Sequence, residues 1–352
     1  MDEQPPPRRR SSRVATATLK TPKEEPVAVA ASARPSTSRH RSHSHRHTSY
    51  NIDTVVKALT EVKLLNECDK AKHALDIKND SPSMEHPKAI FIIGAAGAGK
   101  TFTLERLIPK TFLYEIYNPD IYQEYLLSKE GVLKRDQQRY SNNEAEFLKT
   151  TLEQLRQEYP RESEVALMQK AREIMLSKTY KWFHVSQDCT KEDFKTFIQK
   201  RQNIIIDRPG DKMYRPHHRG QKTKMVYIED QKHSLERKGY QTFMIVIYAN
   251  PLIVLKRNSE RARRLPSHII SNIWIGVQKN MDYYKHLFGD ALVVVDNDYA
   301  PPSEITEEAL APYFPNAEER IYYLDTFKKY TKPQTHRISV SKEKLSDFLA
   351  TN

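Results

Sequence analysis

Ala89-Ile90-Phe91-Ile92-Ile93-Gly94-Ala95-Ala96-Gly97-Ala98-Gly99-Lys100-Thr101 is the stretch that decides the fold. Its five leading residues are apolar throughout, as a strand covered on both faces requires. A turn of glycine and alanine follows, then a helix-favouring segment from Lys100 to about Leu107. Residues 94–101 match G-x-x-x-x-G-K-[ST] in the strand–turn–helix context that the motif needs. Glycines let the backbone wrap closely, so that successive N–H groups point at one phosphate. The helix that follows offers its N-terminus to the same anion. Lys100 reaches the β- and γ-phosphates, and Thr101 supplies a hydroxyl to magnesium. The expected ligands are therefore ATP and Mg2+, held by Gly94, Ala95, Ala96, Gly97, Ala98, Gly99, Lys100 and Thr101.

Working outward, four more segments read as strands: 113–117, 203–206 ending at Asp207, 242–249 and 291–295. Helical patterns lie between them, at about 222–238, from Pro251 through Arg261, and at about 267–286. The alternation predicts an α/β fold with a parallel sheet and right-handed crossovers. Residues 121–200 read as a long, charged, helix-favouring insertion interrupted near Pro160. Residues 51–85 form a helical lead-in on the spacing of Ile52, Val55, Val56, Leu59, Val62 and Leu65. A polar C-terminal extension over 300–352 carries one helix pattern at 316–330. The fold class expected is a P-loop NTPase three-layer fold: a central five-stranded parallel sheet over 86–299, a large helical insertion and a disordered basic N-terminal tail over 1–50.

A P-loop alone does not separate kinases from ATPases or GTPases. No apolar strand ends in Asp-Glu, as motor-type ATPases need, and no N/T-K-x-D turn is placed to read guanine. The insertion and the arginines between Arg257 and Pro266 fit a small-molecule kinase.

In that setting the chain resembles the zeta-toxin family of P-loop kinases, within the adenylate-kinase-like group. The resemblance rests on the P-loop, on Asn118-Pro119-Asp120-Ile121-Tyr122, on residues 203–207, on Lys238-Gly239-Tyr240-Gln241-Thr242 and on Arg257 through Pro266, in that order. It implies that Asp120 is the general base for the acceptor hydroxyl, a role that an ionised carboxylate suits. A helix cap is the other reading of Asp120. Arg257 and Arg263 would clamp the triphosphate bidentately, with Arg264 the competitor for Arg263. If the helix from Pro251 continues, Arg257, Arg261 and Arg264 share one face. Asp207 would order magnesium or bind the acceptor. Arg208-Pro209-Gly210 departs here from the Gly-Thr of the toxins, which leaves the acceptor open. An Asp207–Arg208 pair is the alternative reading of that position. The function implied is transfer of the ATP γ-phosphate to a hydroxyl of a nucleotide-sugar, a nucleoside or nucleotide, or a nucleic-acid end.

The remaining features bound the possibilities. The chain has 352 residues and a net charge of +12, and the first fifty hold ten Lys/Arg against four Asp/Glu. That tail is too polar to offset its ordering entropy by burial. It leaves room for a second reading, a nucleotide-switched nucleic-acid-binding protein with slow ATP hydrolysis. The intact P-loop argues against a pseudo-kinase scaffold. Two cysteines, Cys68 and Cys189, make neither a disulfide framework nor a four-ligand metal site, and point to a reducing intracellular compartment. No run of about twenty apolar residues spans a membrane, and no apolar segment follows the N-terminal charges. An intracellular, cytoplasmic protein is expected, with nuclear or virion association open and no oligomeric state assigned. The aromatics of Tyr180-Lys181-Trp182-Phe183-His184 read as core packing, and Asp296-Asn297-Asp298 as a solvated strand end.

Overall fold

Strand β1 (Lys88–Ile93) is buried at every position, as its apolar run requires. In the computed structural model it lies at the centre of a five-stranded sheet of order β2-β5-β1-β6-β7. The partners are β2 (Glu115–Tyr117), β5 (Ile204–Arg208), β6 (Gln241–Tyr248) and β7 (Leu292–Asp296), and every pairing is parallel. The structure describes residues 66–137, 139–211, 228–298, 304–331 and 342–350. The chain divides into two units, Met1–Tyr50 and Asn51–Asn352, and the described residues all lie in the second. The basic tail and the start of the lead-in helix lie outside the described residues; of that lead-in, residues 66–75 are helical and are called α1.

Alternation along the strands sorts the sheet into two faces. Ile90, Ile92, Ile205, Phe243, Ile245, Ile247 and Val293 point to one core. Helices α2 (Lys100–Leu107), α7 (Pro251–Ser259), α8 (Ser267–Lys279), α11 (Ala317–Tyr330) and α12 (Lys342–Ala350) contribute to it. Ala89, Phe91, Ile93, Ile204, Ile206, Met244, Val246 and Leu292 point to the other, shared with the C-terminal part of α5 (Glu164–Gln199), α6 (Ile228–Glu236) and α9 (Met281–Phe288). Each fully buried isoleucine or phenylalanine contributes roughly 1.5–3 kcal/mol relative to exposure. Both faces are thus covered, which makes the three layers expected. Asn203, 3% exposed, aligns the strand starts: its side chain accepts from the Lys88 backbone N–H and donates to the Leu113 carbonyl.

The insertion is more than helical. α3 (Pro119–Lys129) leads into an antiparallel hairpin, β3 (Leu133–Asp136) and β4 (Arg139–Asn142), then α4 (Glu144–Glu158) and α5. The break near Pro160 falls between α4 and α5, where Ser163 caps the latter by accepting from the Ala166 N–H. At 36 residues α5 is about 54 Å long. Trp182 enters the insertion core and donates to Glu130, but Tyr180 and Phe183 face solvent, so the aromatic run is only partly core.

Three expectations are corrected. Cys68 and Cys189 form a disulfide joining α1 to α5, with Cα atoms 5.3 Å apart. Distance in sequence hid a pairing that the fold makes, and the cysteines therefore give no ground for a reducing compartment. The helix read over 267–286 is two helices that meet at Asn280, whose side chain donates to the Gly210 carbonyl. Finally, α7 stops at Ser259, so Arg257, Arg261 and Arg264 share no helical face. Asn258 causes the stop by bonding both the carbonyl and the N–H of Leu265, which closes residues 258–265 into a loop. No helix among the described residues is long and apolar enough to cross a membrane.

Candidate active site at the C-terminal ends of the strands

The P-loop leaves the end of β1 and turns into α2 at Gly99, which is left-handed at φ +87°. No side chain caps α2, so its first N–H groups are directed at the space above the loop. Gly97, at φ +88°, lies against α7: a Cβ there would come 2.6 Å from the Val254 carbonyl oxygen. At Gly99 a Cβ would meet the Asn297 amide at 2.0 Å. That amide, 4% exposed, donates to the Ala98 carbonyl across 2.7 Å. The strand end at 296–298, expected to be merely solvated, is therefore a buttress of the loop. Asp298 joins it by accepting from the Asn250 N–H. Arg257 donates to the Gly97 carbonyl at 3.4 Å and the Asn297 carbonyl at 3.3 Å, so it reaches the P-loop from α7.

Lys100 donates to the Gly94 carbonyl at 2.8 Å and stands 3.5 Å from Asp207. The register explains this meeting, because β5 pairs Asp207 with Ile92 at the mouth of the loop. Burial pushes the Asp207 carboxyl up from the usual aspartate range; Lys100 opposes this and the charge of Asp120 adds to it. Arg208 pairs elsewhere, donating to the Tyr117 hydroxyl with its guanidinium 4.7 Å from that ring.

Asn118 links the next two acids. Its amide donates to Asp207 at 3.0 Å, and its oxygen accepts from the Asp120 N–H at 2.9 Å. Asn118 is thus the cap of α3, with Pro119 at the first helical position and Asp120 in the first turn. The side chain of Asp120 is 41% exposed and faces the arginine loop. Arg263 approaches Asp120 Oδ1 to 2.5 Å, and Arg261 approaches Oδ2 to 3.8 Å. Arg263 keeps a buried Nε that has no hydrogen-bond partner. Arg264 is exposed and stands outside this set. Glu124, one turn beyond Asp120, has its carboxyl raised by burial, with Arg263 pulling the other way. The hairpin closes this side, as Asn142 donates to the Ala262 carbonyl.

Lys100, Asp207, Asp120 and Arg263 are therefore brought into one line, with Arg257 on the loop beside it. Sequence reading missed Asn118, Glu124 and Asn297. The signal for Asn118 was present in Asn-Pro-Asp, a capping pattern with proline at the first helical position.

Residues 71–171 match the zeta toxin family. That span holds the P-loop and Asp120, so the resemblance read from the motifs stands. The zeta toxin match covers less than a third of the chain; with the P-loop it supports an ATP-dependent phosphotransferase in the general sense. Curated protein sequences gave no match. Solved structures gave distant likenesses. A chain of the PezAT toxin–antitoxin system of Streptococcus pneumoniae is 16% identical, with 77% of this chain and 93% of that one covered and a TM-score of 0.37. An AvrRxo1-ORF1:AvrRxo1-ORF2 structure with sulphate ions is 13% identical, with 82% and 88% covered and a TM-score of 0.40. Another with ATP is 13% identical, with 76% and 83% covered and a TM-score of 0.39. Likenesses of that size carry no weight for function.

The donor set also fits a magnesium ion. No group of three or more His, Cys, Asp or Glu among the described residues could hold a metal. Mg2+ needs none, because it keeps waters and substrate phosphate oxygens and takes one or two hard oxygen ligands from protein. Thr101 and Asp207 offer such oxygens at the mouth of the loop.

Proposed function

We propose that this chain is a zeta-toxin-like kinase that moves the γ-phosphate of ATP to a hydroxyl of a small acceptor. A nucleotide-sugar, a nucleoside or nucleotide, and a nucleic-acid 5′ end are the classes to test. The observation that supports this most is the run of contacts from Lys100 through Asp207 and Asn118 to Asp120 and Arg263. It joins a phosphate-binding turn to a half-exposed carboxylate and a guanidinium.

Lys100 holds the β- and γ-phosphates, giving up Gly94 for the anion. Magnesium, held by Thr101 and Asp207, would neutralise charge on the phosphate oxygens. Asp120 accepts the proton of the acceptor hydroxyl and aims its oxygen at phosphorus. Arg257 and Arg263 stabilise the charge that develops as the bond to the leaving diphosphate lengthens. Arg264, from its exposed position, meets the outer part of the nucleotide. Little covalent chemistry falls to the protein; positioning and electrostatics supply the rate.

The reading of a nucleotide-switched nucleic-acid binder rests on residues 1–50, which lie outside the described residues. The test is γ-labelled ATP with magnesium and a panel of the acceptor classes. Label should appear on one class, and Asp120→Asn should abolish this while ATP still binds. Transfer retained in Asp120→Asn would remove Asp120 from its role.

A further inference from the structure

Behind the first turn of α3 lies a carboxylate that the phosphate chemistry does not use. Asp193, on α5, is 3% exposed. It accepts from the Tyr122 hydroxyl, from the Asn79 amide at 3.0 Å and from the Lys72 ammonium at 2.6 Å. Tyr122 is itself 3% exposed and stands two residues after Asp120 on α3. Burial and then the bond to Asp193 push its hydroxyl up, so tyrosine keeps the proton and donates it.

The spacing around Asp193 repeats. Lys72 is four residues after Cys68 on α1, and Asp193 is four residues after Cys189 on α5. The disulfide and the ion pair are therefore successive rungs between the same two helices, one helical turn apart. Through Asp193 the upper rung also grips α3. The disulfide thus braces the α1–α5 pair that holds α3 through Asp193 and Tyr122.

We propose that Asp193 and Tyr122 are positioning residues for Asp120, and that the Cys68–Cys189 disulfide makes this positioning sensitive to thiols. The inference rests on the kinase reading above. A misplacement of a reacting group by about 1 Å can cost on the order of a hundredfold in rate, and the first turn of α3 is where such a shift would enter. Reduction needs a dithiol. Its thiolate attacks one cysteine sulfur and expels the other as a thiolate, leaving a mixed disulfide; its second thiolate then attacks its own bound sulfur and frees the first cysteine, leaving two protein thiols and an oxidised reductant. Both sulfurs are buried, Cys68 at 2% and Cys189 at 0% exposure, so exchange waits on local opening.

The test is hydrogen–deuterium exchange on the full-length chain, which needs no acceptor. Tyr122→Phe removes one donor and keeps the ring. Exchange in residues 119–124 should speed by about tenfold or more, with β1 and α8 unchanged. Dithiothreitol should speed exchange in 119–124 of the parent chain beyond any general loosening of the sheet, and change nothing in Cys68→Ser/Cys189→Ser. Unchanged exchange in 119–124 for both treatments overturns the inference, as does a change in Tyr122→Phe that is uniform over the whole sheet. With the acceptor found in the panel above, Tyr122→Phe should lower kcat by about tenfold or more and leave the KM for ATP within about twofold. A parent-like kcat in Tyr122→Phe sinks the inference alone, transfer retained in Asp120→Asn removes Asp120 from its role, and label on no acceptor sinks the kinase reading.

Discussion

Arg263 and Asp120 hold one another across 2.5 Å. One is the guanidinium proposed to grip phosphate, and the other is the carboxylate proposed to take the acceptor's proton. Before substrates arrive each occupies the other's working position. An incoming triphosphate competes for Arg263, and its success frees Asp120 for the acceptor. Donor binding and base release are then one event.

Arg263→Lys tests this. Lysine keeps the charge but loses the planar fork that spans two oxygens. Transfer should fall on the order of a hundred- to a thousandfold, the size of losing a preorganised donor to a developing oxyanion. Initial rates of label transfer measure it. A loss below about threefold would show that Arg263 only parks on Asp120.

Asp207 should limit stability in favour of function. Its folded-state carboxyl is raised, chiefly by burial, with Lys100 opposing. The folded chain therefore keeps a proton that the unfolded chain has already released. Stability falls as pH rises from the ordinary aspartate value of about 3.9 towards the folded value. Glu124 adds a change of the same sign. Asp207→Asn should raise the thermal midpoint at neutral pH, flatten its pH dependence and abolish transfer. A lower midpoint in the variant would contradict the account.

The disulfide closes a loop with a sequence separation of 121 residues. Loops of that length correspond to stabilisation of about 3–5 kcal/mol in the chain-entropy view. Dithiothreitol should lower the urea midpoint of the parent chain accordingly. Cys68→Ser/Cys189→Ser should begin at the lower value and ignore the reagent.

Gly97→Ala should destabilise the chain by roughly 1–3 kcal/mol even without nucleotide. The added Cβ meets the Val254 carbonyl oxygen, a backbone atom that cannot rotate away, at a φ of +88°. Thermal unfolding of the nucleotide-free protein reads this directly. A parent-like midpoint would mean that α7 can withdraw at little cost.

How much of this could be read from sequence follows from what kind of force set each part. The five sheet strands were legible because burial on two faces demands unbroken apolar runs such as 89–93 and 204–206. The β3–β4 hairpin was not, because Leu133 is the only buried residue among those described in it and backbone pairing inside a charged stretch leaves no apolar period. Lys100 was legible at the mouth of the loop because local backbone geometry places it there. The end of α7 was not, since it depends on one asparagine reaching seven residues ahead. The disulfide and Asn297 escaped for a related reason: their partners lie 121 and 199 residues away, and only the finished fold brings them near.

The packing of the P-loop against α7 and the end of β7 bears on how this gene tolerates change. Gly97 and Gly99 are hemmed in by the chain's own atoms as well as being suited to phosphate. In a saturation library scored only for cellular abundance, with no activity selected, both positions should still be depleted of every other residue. Depletion there would record folding, so a glycine-rich phosphate loop can remain intact in descendants that have stopped using the phosphate.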